Sequence, residues 1–260
     1  MSDVQDSGSA SELLPAGQDE DDEKDIVPSH LGTHMVTITV GPDEILYIIH
    51  KDILQETTSP FFRVCFNNGF AEQRLSFLAL PEDDPKAFNT FCRWAYGRVS
   101  GFTECSKAFL EHMPMSELLD LYIFSHKYII QALEDAIIAT VMYKAHRSNG
   151  HQMGFTRASL ERLEARTPFD TNMRKLLVDT LAWTAKNRSY WMDEALVEML
   201  PVGLMRGAFL RLYQPMGMGP PPGFNGNKCH YHAHPINDLC EDGWDGDDTR
   251  VVMVEGHQDN

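Results

Sequence analysis

Two short β-branched segments joined by a turn constrain the fold of this chain more than any other feature. Met35–Val40 is built from Val, Ile and Thr, which favour strands, and it ends at Gly41–Glu44, a Gly-Pro-Asp-Glu cluster typical of a turn. Ile45–His50 follows as a second apolar run, so the pair predicts a β-hairpin. Because the second run is apolar on both of its alternating faces, we expect other parts of the chain to cover both sides of that strand.

The rest of the central region predicts a chain dominated by helices. Ser59-Pro60 is a helix start, because Ser can accept an N–H bond and Pro fits the first helical position. Asp84-Pro85 predicts a second such start. The predicted elements after the hairpin are helices at 51–58 and 60–66, a strand at 75–80, a helix from 85, a loop over 98–114 with a helical turn at 107–112, and helices at about 116–127 and 130–145. A polar linker follows at 146–156. Beyond it we expect helices at about 157–166, 171–187 and 193–213.

The charge of the chain is concentrated at its two ends. Of the net charge of −16, residues 1–25 carry −8, residues 214–260 carry −6 and the middle only −2. The low hydrophobicity of both ends predicts a disordered acidic leader over 1–32 and a disordered Gly/Pro-rich and acidic tail over 215–260. The acidity would repel phosphate backbones, so we expect no nucleic-acid partner.

Cysteine content and hydropathy indicate the compartment. The five cysteines are scattered and odd in number, which disfavours a disulfide framework and favours a reducing environment. No apolar run reaches the ~18 residues of a membrane helix, and the start of the chain shows no signal-peptide pattern. We therefore expect a cytoplasmic or nuclear location and no membrane partner.

The segment Ile45–Glu72 resembles the BTB/POZ family. The matching residues are His50-Lys51, Ile53-Leu54 and Ser59-Pro60-Phe61-Phe62, followed further on by Phe88, Phe91, Tyr96-Gly97, Glu117-Leu118-Leu119 and Lys127-Tyr128. Met173–Trp183 is similar to the C-terminal helices of fungal BTB proteins. The resemblance implies an α/β (α+β) fold, with a BTB/POZ core of a small sheet and helices over 33–147 and an all-helical extension over 157–214. Many dimeric members carry a helix before the first strand, and residues 1–32 contain no such pattern, so a homodimer stays open.

The resemblance also implies a protein-binding site at Phe70 and Glu72. Phe70-Ala71-Glu72 resembles the hydrophobic-x-Glu motif through which BTB adaptors hold the cullin-3 scaffold. An aromatic side chain on a loop can enter a partner's pocket, and a nearby carboxylate can accept a hydrogen bond from the partner. The alternative is that Phe70 caps the core and that Glu72 is only solvated.

Three other groups of residues are candidate functional sites. His50 has no nucleophile and acid in a recognisable triad pattern, so a strand-end structural role is expected. Asp83-Asp84 is better explained as a helix N-terminal cap and dipole partner than as an acid/base pair. Trp183, Tyr190 and Trp191 are expected to pack in the core, with a target-binding groove that could also use Met199, Leu204 and Met205 as the alternative.

The C-terminal tail contains the most unusual local composition. Its potential metal ligands are Cys229, His230, His232, His234 and Cys240. Zinc sites usually contain a paired Cys-x-x-Cys or His-x₃-His arrangement, which is missing here, so we expect no metal and no cofactor.

The sequence therefore predicts a protein–protein interaction module and not an enzyme. Its most specific form is a substrate adaptor for a cullin-3 RING ubiquitin ligase, with an unknown target protein. A self-associating BTB scaffold without a ligase role is the alternative, and a metal-dependent enzyme using the C-terminal Cys/His cluster is the remote one.

Overall fold

The computed structural model of the chain describes residues 31–57, 59–67, 71–99, 103–147, 154–187, 194–214 and 228–233. The elements, in chain order, are β1 (Met35–Val40), β2 (Ile45–His50), α1 (Lys51–Glu56), α2 (Pro60–Asn67), α3 (Ala71–Leu75), β3 (Phe77–Leu80), α4 (Pro85–Val99), α5 (Thr103–His112), α6 (Met115–Lys127), α7 (Gln131–Arg147), α8 (Arg157–Arg166), α9 (Asn172–Asn187), α10 (Glu194–Met199), α11 (Val202–Leu212) and a 3₁₀ turn (Lys228–Tyr231). The predicted fold class, a mixed α/β fold with a small sheet and helices, is confirmed.

The three strands form one small sheet in the order β2-β1-β3. Strands β1 and β2 pair in antiparallel fashion as the predicted hairpin, and β3 pairs with β1 in parallel. A parallel neighbour requires a crossover connection, which α1, α2 and α3 supply. Val36, Ile38 and Val40 point from β1 into the core, so one face of the sheet is buried against the helices.

Stacked aromatic rings fill the centre of the core. Phe91 on α4 lies 5.7 Å from Phe62 on α2 and 5.3 Å from Phe124 on α6, measured between ring centroids. Tyr128, directly after α6, is 4.8 Å from Phe124 and 5.4 Å from Phe62. Offset and tilted contacts of this kind contribute beyond the area that they bury. The cluster thus joins α2, α4 and α6 beneath the sheet.

Helix α6 connects the sheet and the helices around it to the C-terminal helices. It is buried on nearly all sides, and α8 packs against it. Arg162 on α8 donates two hydrogen bonds of 2.8 Å to the carboxylate of Asp120 on α6. The Met173 amide of α9 donates to the buried Tyr122 hydroxyl at 3.4 Å. The apolar core therefore continues from the sheet and its helices into the extension.

The boundaries of two elements differ from those expected from the sequence. The third strand was predicted from residue 75, but Leu75 ends α3 and β3 begins at Phe77. Ser76 between them has a φ of +48°, a left-handed conformation that ends the helix. The helical turn predicted at 107–112 is confirmed but is part of the longer α5, because Leu110 within the helix and Met113 directly after it are buried.

The helical segment predicted over 193–213 is divided into α10 and α11 at Pro201, where the sequence also indicates a boundary. Proline has no backbone N–H and disfavours helical geometry in the residue before it. The start of α11 is capped from another helix: the Leu204 amide donates to the carboxylate of Glu164 on α8 at 2.6 Å. Pro201, the N-cap residue of α11, makes no side-chain hydrogen bond, so Glu164 supplies the missing acceptor from α8.

The tail was predicted to be disordered over 215–260, and six of its residues are described. Residues 228–233 form the 3₁₀ turn and its continuation, packed on α7 and α9. Tyr231 within it is buried. For these six residues the structure departs from the expectation, because buried carboxylates on two distant helices bind them. The other residues of the leader and tail lie outside the described residues, and their predicted disorder stays a prediction.

Gly207 sets how closely α9 and α11 approach. A Cβ at this position would lie 2.7 Å from Cγ2 of Val178, a β-branched side chain that cannot easily rotate away. We expect Gly207→Val to lower the free energy of unfolding by about 1–3 kcal/mol through overpacking. In a Val178→Ala background the same change should cost clearly less, as measured by urea denaturation. An equal loss in both backgrounds would contradict a steric origin.

Candidate protein-binding surface

The outer face of the sheet is apolar and exposed. Thr37 pairs with Ile48 on one side and with Phe77 on the other, which places these three side chains in one row. Thr39 pairs in the same way with Leu46 and Ala79 in the next row. Leu46 is 61% exposed, Ile48 58%, Met35 40% and Phe77 39%. We call Met35, Leu46, Ile48 and Phe77 the apolar sheet face.

This face corrects an expectation drawn from the sequence. Residues 45–50 are apolar on both faces, and the pattern predicted that both would be covered. The inner side of β2 is covered at Ile49, which is buried, and at Tyr47, which lies 4.8 Å from Phe88 between ring centroids, whereas Ile45 at the start of the strand is 44% exposed. Exposed apolar side chains that are contiguous, unlike scattered ones, are typical of interaction sites.

Strand β2 also lies at the edge of the sheet. The Lys51 amide donates to the His34 carbonyl at 2.8 Å, which puts the even-numbered positions of β1 and the odd-numbered positions of β2 in hydrogen-bonded pairs. The backbone groups of Leu46 and Ile48 therefore point away from β1. Lysine or other charged side chains and proline are the usual means of blocking an edge strand, and residues 45–49 contain none of them.

Glu72, one of the two predicted protein-binding residues, lies five positions before Phe77 in the chain. It is half-buried on α3, a short helix that leads through the exposed Leu75 to Phe77 of the apolar sheet face. Burial, and to a smaller extent the charge of Glu72, raises the pKa of the Cys65 thiol on α2. Glu72 is therefore close to α2 and only partly solvated. Phe70, the other predicted residue, lies outside the described residues.

His50, Asp83 and Asp84, the residues considered above as possible catalytic groups, make structural hydrogen bonds. The His50 ring is 2.9 Å from the Tyr96 hydroxyl, through Nδ1, and that hydroxyl also accepts the His50 backbone N–H at 3.1 Å. Asp84 accepts the Lys86 amide at 3.1 Å and so caps α4, as predicted. Asp83 departs from that interpretation: it is buried and accepts hydrogen bonds from Lys127 at 2.8 Å and from Tyr128 at 2.6 Å. Burial and the bond to Asp83 raise the pKa of the Tyr128 hydroxyl.

The candidate metal ligands of the tail are only partly within the described chain. His230 is exposed and His232 is buried, while the Cys229 side chain, His234 and Cys240 lie outside the described residues. Among the residues that are described, no three His, Cys, Asp or Glu side chains converge as a metal site would require. Whether the complete cluster binds metal stays a prediction.

Of the three aromatic residues predicted to pack in the extension, the structure describes only Trp183. Trp183 on α9 is half-buried, whereas Tyr190 and Trp191 lie outside the described residues. Leu204 is buried, and Met199 and Met205 are half-buried against the core. Leu204, Met199 and Met205 thus pack in or against the core, and the core packing expected for Trp183, Tyr190 and Trp191 stays a prediction.

Two further observations concern the chain as a whole. Within the described ranges, no helix is both long enough and apolar enough to cross a bilayer. Comparison with models of known protein families gave no match, and neither did comparison with curated proteins.

Proposed function

We propose that this chain is a protein–protein interaction module and that the apolar sheet face is its docking surface. The observation that carries the proposal is the exposure of Leu46 and Ile48, each more than half exposed, on the edge strand β2, with Phe77 on the same face across β1. Surfaces of this composition release water on association, which is the main favourable contribution to binding. An edge strand adds backbone groups that a partner's extended segment can pair with.

The most specific form of the proposal is a substrate adaptor for a cullin-3 RING ubiquitin ligase. Two observations support it: the order of the BTB-like motifs over Ile45–Glu72, and the partly accessible position of Glu72 on α3. Glu72 is connected to the apolar sheet face through Leu75 and Phe77, so one partner can contact both. A cullin contact would then combine one carboxylate with an apolar surface.

The cullin contact predicts separate effects for Phe70 and Glu72. If Phe70 is a surface anchor, Phe70→Ala weakens binding to the cullin-3 N-terminal domain by about 2 kcal/mol or more and leaves thermal stability nearly unchanged. Glu72→Lys weakens binding with little thermal shift, because a partly exposed charge contributes little to folding. Titration calorimetry and thermal melting measure the two quantities, and Glu72→Gln separates the loss of the charge from its reversal. A destabilised Phe70→Ala together with an inert Glu72→Lys rules out the adaptor form.

A self-associating scaffold is the second candidate function, and the free edge of β2 favours it. Two copies of an edge strand can pair in antiparallel fashion around a two-fold axis, because each then presents the same groups to the other. Pairing centred on Tyr47 would place Leu46 opposite Ile48 of the other copy. Residues 45–49 carry no ionised side chain that would oppose this contact.

One experiment distinguishes these forms. The chain is expressed in cells with two different tags, and each tag is purified separately and analysed by mass spectrometry. Stoichiometric recovery of cullin-3 supports the adaptor, and recovery of the second tag alone supports the scaffold. If purification yields only the chain itself, and sedimentation shows a monomer at micromolar concentration, the proposed function is wrong.

A further inference from the structure

The C-terminal tail places a tyrosine into the helical extension. We call residues 228–233 the tail segment, and the surface formed by α7, α9 and α11 that holds it the tail groove. Tyr231 is only 1% exposed, and its hydroxyl donates to Oδ2 of Asp179 on α9 at 2.7 Å. The amide of Ala233 donates to Oδ1 of Asp135 on α7 at 2.8 Å.

The acceptor for the tyrosine is positioned by the helices alone. Arg211 on α11 donates through Nε to Oδ1 of Asp179 at 2.5 Å, and this ion pair does not involve the tail. The other carboxylate oxygen of Asp179 is thereby directed at the phenol. Burial, and then the bond to Asp179, raises the pKa of Tyr231, so the hydroxyl stays protonated and donating. The tail groove is thus preorganised for a neutral phenol.

The tail segment is connected to the extension as a tethered ligand would be. Residues 215–227 include four glycines and four prolines among thirteen positions, the composition of a linker. Among the described residues, the segment is held by the buried side chains of Tyr231 and His232 and by hydrogen bonds to the carboxylates of Asp179 and Asp135. A contact set this small can open without unfolding of the core that receives it.

The tail groove extends beyond the tyrosine. A cleft of about 490 Å³ adjoins Tyr231 and His230 and is lined by Lys175 of α9 and by the exposed Phe169 and Leu210. His230 precedes Tyr231, so the cleft lies on the N-terminal side of the tyrosine. A longer peptide could occupy it with apolar or acidic residues ahead of its tyrosine.

We propose that the tail groove is a binding site for peptide segments in which a tyrosine is followed by a residue that is buried with it, as His232 is, and then by any residue except Pro, and that the tail segment occupies this site in cis. A partner segment must displace the tail to bind. The bond from Ala233 to Asp135 requires a backbone N–H two residues after the tyrosine, which excludes proline there. The bond from Tyr231 to Asp179 excludes phosphotyrosine. Phosphorylation would remove the O–H that donates to Asp179 and would place a negatively charged phosphate against the buried carboxylate. This site is separate from the apolar sheet face and does not depend on its proposed function.

The test uses the full chain and a synthetic peptide of residues 226–236, labelled with a fluorophore and carrying Cys229→Ser. In the full chain, Tyr231→Ala vacates the groove. Because a tethered segment acts at roughly millimolar effective concentration, the peptide should bind this variant at least about tenfold more tightly than the unaltered chain, as measured by fluorescence polarisation. Peptides phosphorylated at Tyr231 or carrying Ala233→Pro should bind the variant at least about tenfold more weakly than the parent peptide.

Four outcomes would overturn the proposal. They are failure of the peptide to bind the Tyr231→Ala chain, equal affinity for both chains, tight binding of the phosphorylated peptide, and failure of the Tyr231→Ala chain to fold. The last would show that Tyr231 is an integral part of the core and not a displaceable ligand. The full-chain variant Ala233→Pro, which keeps Tyr231 but loses the bond to Asp135, should give an intermediate gain in peptide affinity.

Discussion

Ile48→Glu on the apolar sheet face should weaken the binding of whichever protein, or second copy, is recovered with the chain by at least about 2–3 kcal/mol, or roughly 30–100-fold. The change places a charge in the middle of an apolar contact, where it must either lose its water or keep the partner away. Ile48 is the central exposed residue of β2, next to Thr37, so few contacts with a partner could avoid it. Binding is measured by titration calorimetry or, for a second copy, by sedimentation.

Folding should tolerate the same change. Ile48 is 58% exposed in the free chain, so the glutamate remains solvated, and the lower β-propensity of Glu costs at most about 1 kcal/mol. Val197→Glu is the matched control: Val197 is an exposed apolar residue on α10, and the same charge there should leave binding unchanged. If both variants bind as the unaltered chain does, the apolar sheet face is not the docking surface.

Phe91→Ala should have the largest effect on stability, lowering the free energy of unfolding by about 3–5 kcal/mol. Phe91 is fully buried and contacts the rings of Phe62, Phe88 and Phe124, so the substitution leaves a cavity that α2, α4 and α6 all border. A loss of this size is a large fraction of the ~5–15 kcal/mol that stabilises a typical domain. Urea denaturation followed by circular dichroism measures the change.

Phe77→Ala is the control for this prediction, because it removes the same atoms from the apolar sheet face. Phe77 keeps part of its surface in water, so its loss should cost clearly less than that of Phe91. If the two variants lose equal stability, the aromatic cluster is not the centre of the core.

The boundaries of many elements could be predicted from the sequence, because they depend on neighbouring residues. The hairpin follows from its β-branched runs and turn, and Pro60 and Pro85 each begin a helix as the first-position rule requires. Ser59 also caps α2, where its hydroxyl accepts the Phe62 amide at 3.4 Å. The mixed α/β class follows from the order of such local signals.

Local patterns were less informative where burial decides the structure. Only the helical turn at 107–112 was predicted within α5, and the rest of this polar helix depends on the burial of Leu110 within it and of Met113 directly after it. The division between α10 and α11 had a visible signal in Pro201, yet the acceptor that caps α11 belongs to Glu164, forty positions away. In both cases the stabilising contact is distant in sequence.

The candidate sites show the same division. The sequence determined the apolar character of Ile45–His50, the linker composition of residues 215–227 and, through resemblance, the choice of Phe70 and Glu72. Only the tertiary structure decided that β2 is an edge strand with one open face, since apolar residues alone do not state which surfaces the rest of the chain will cover. It also brought Tyr231 to Asp179 and Ala233 to Asp135, across 52 and 98 positions. Long-range contacts of this kind depend on how helices pack around a common core, and that packing is a property of the whole chain.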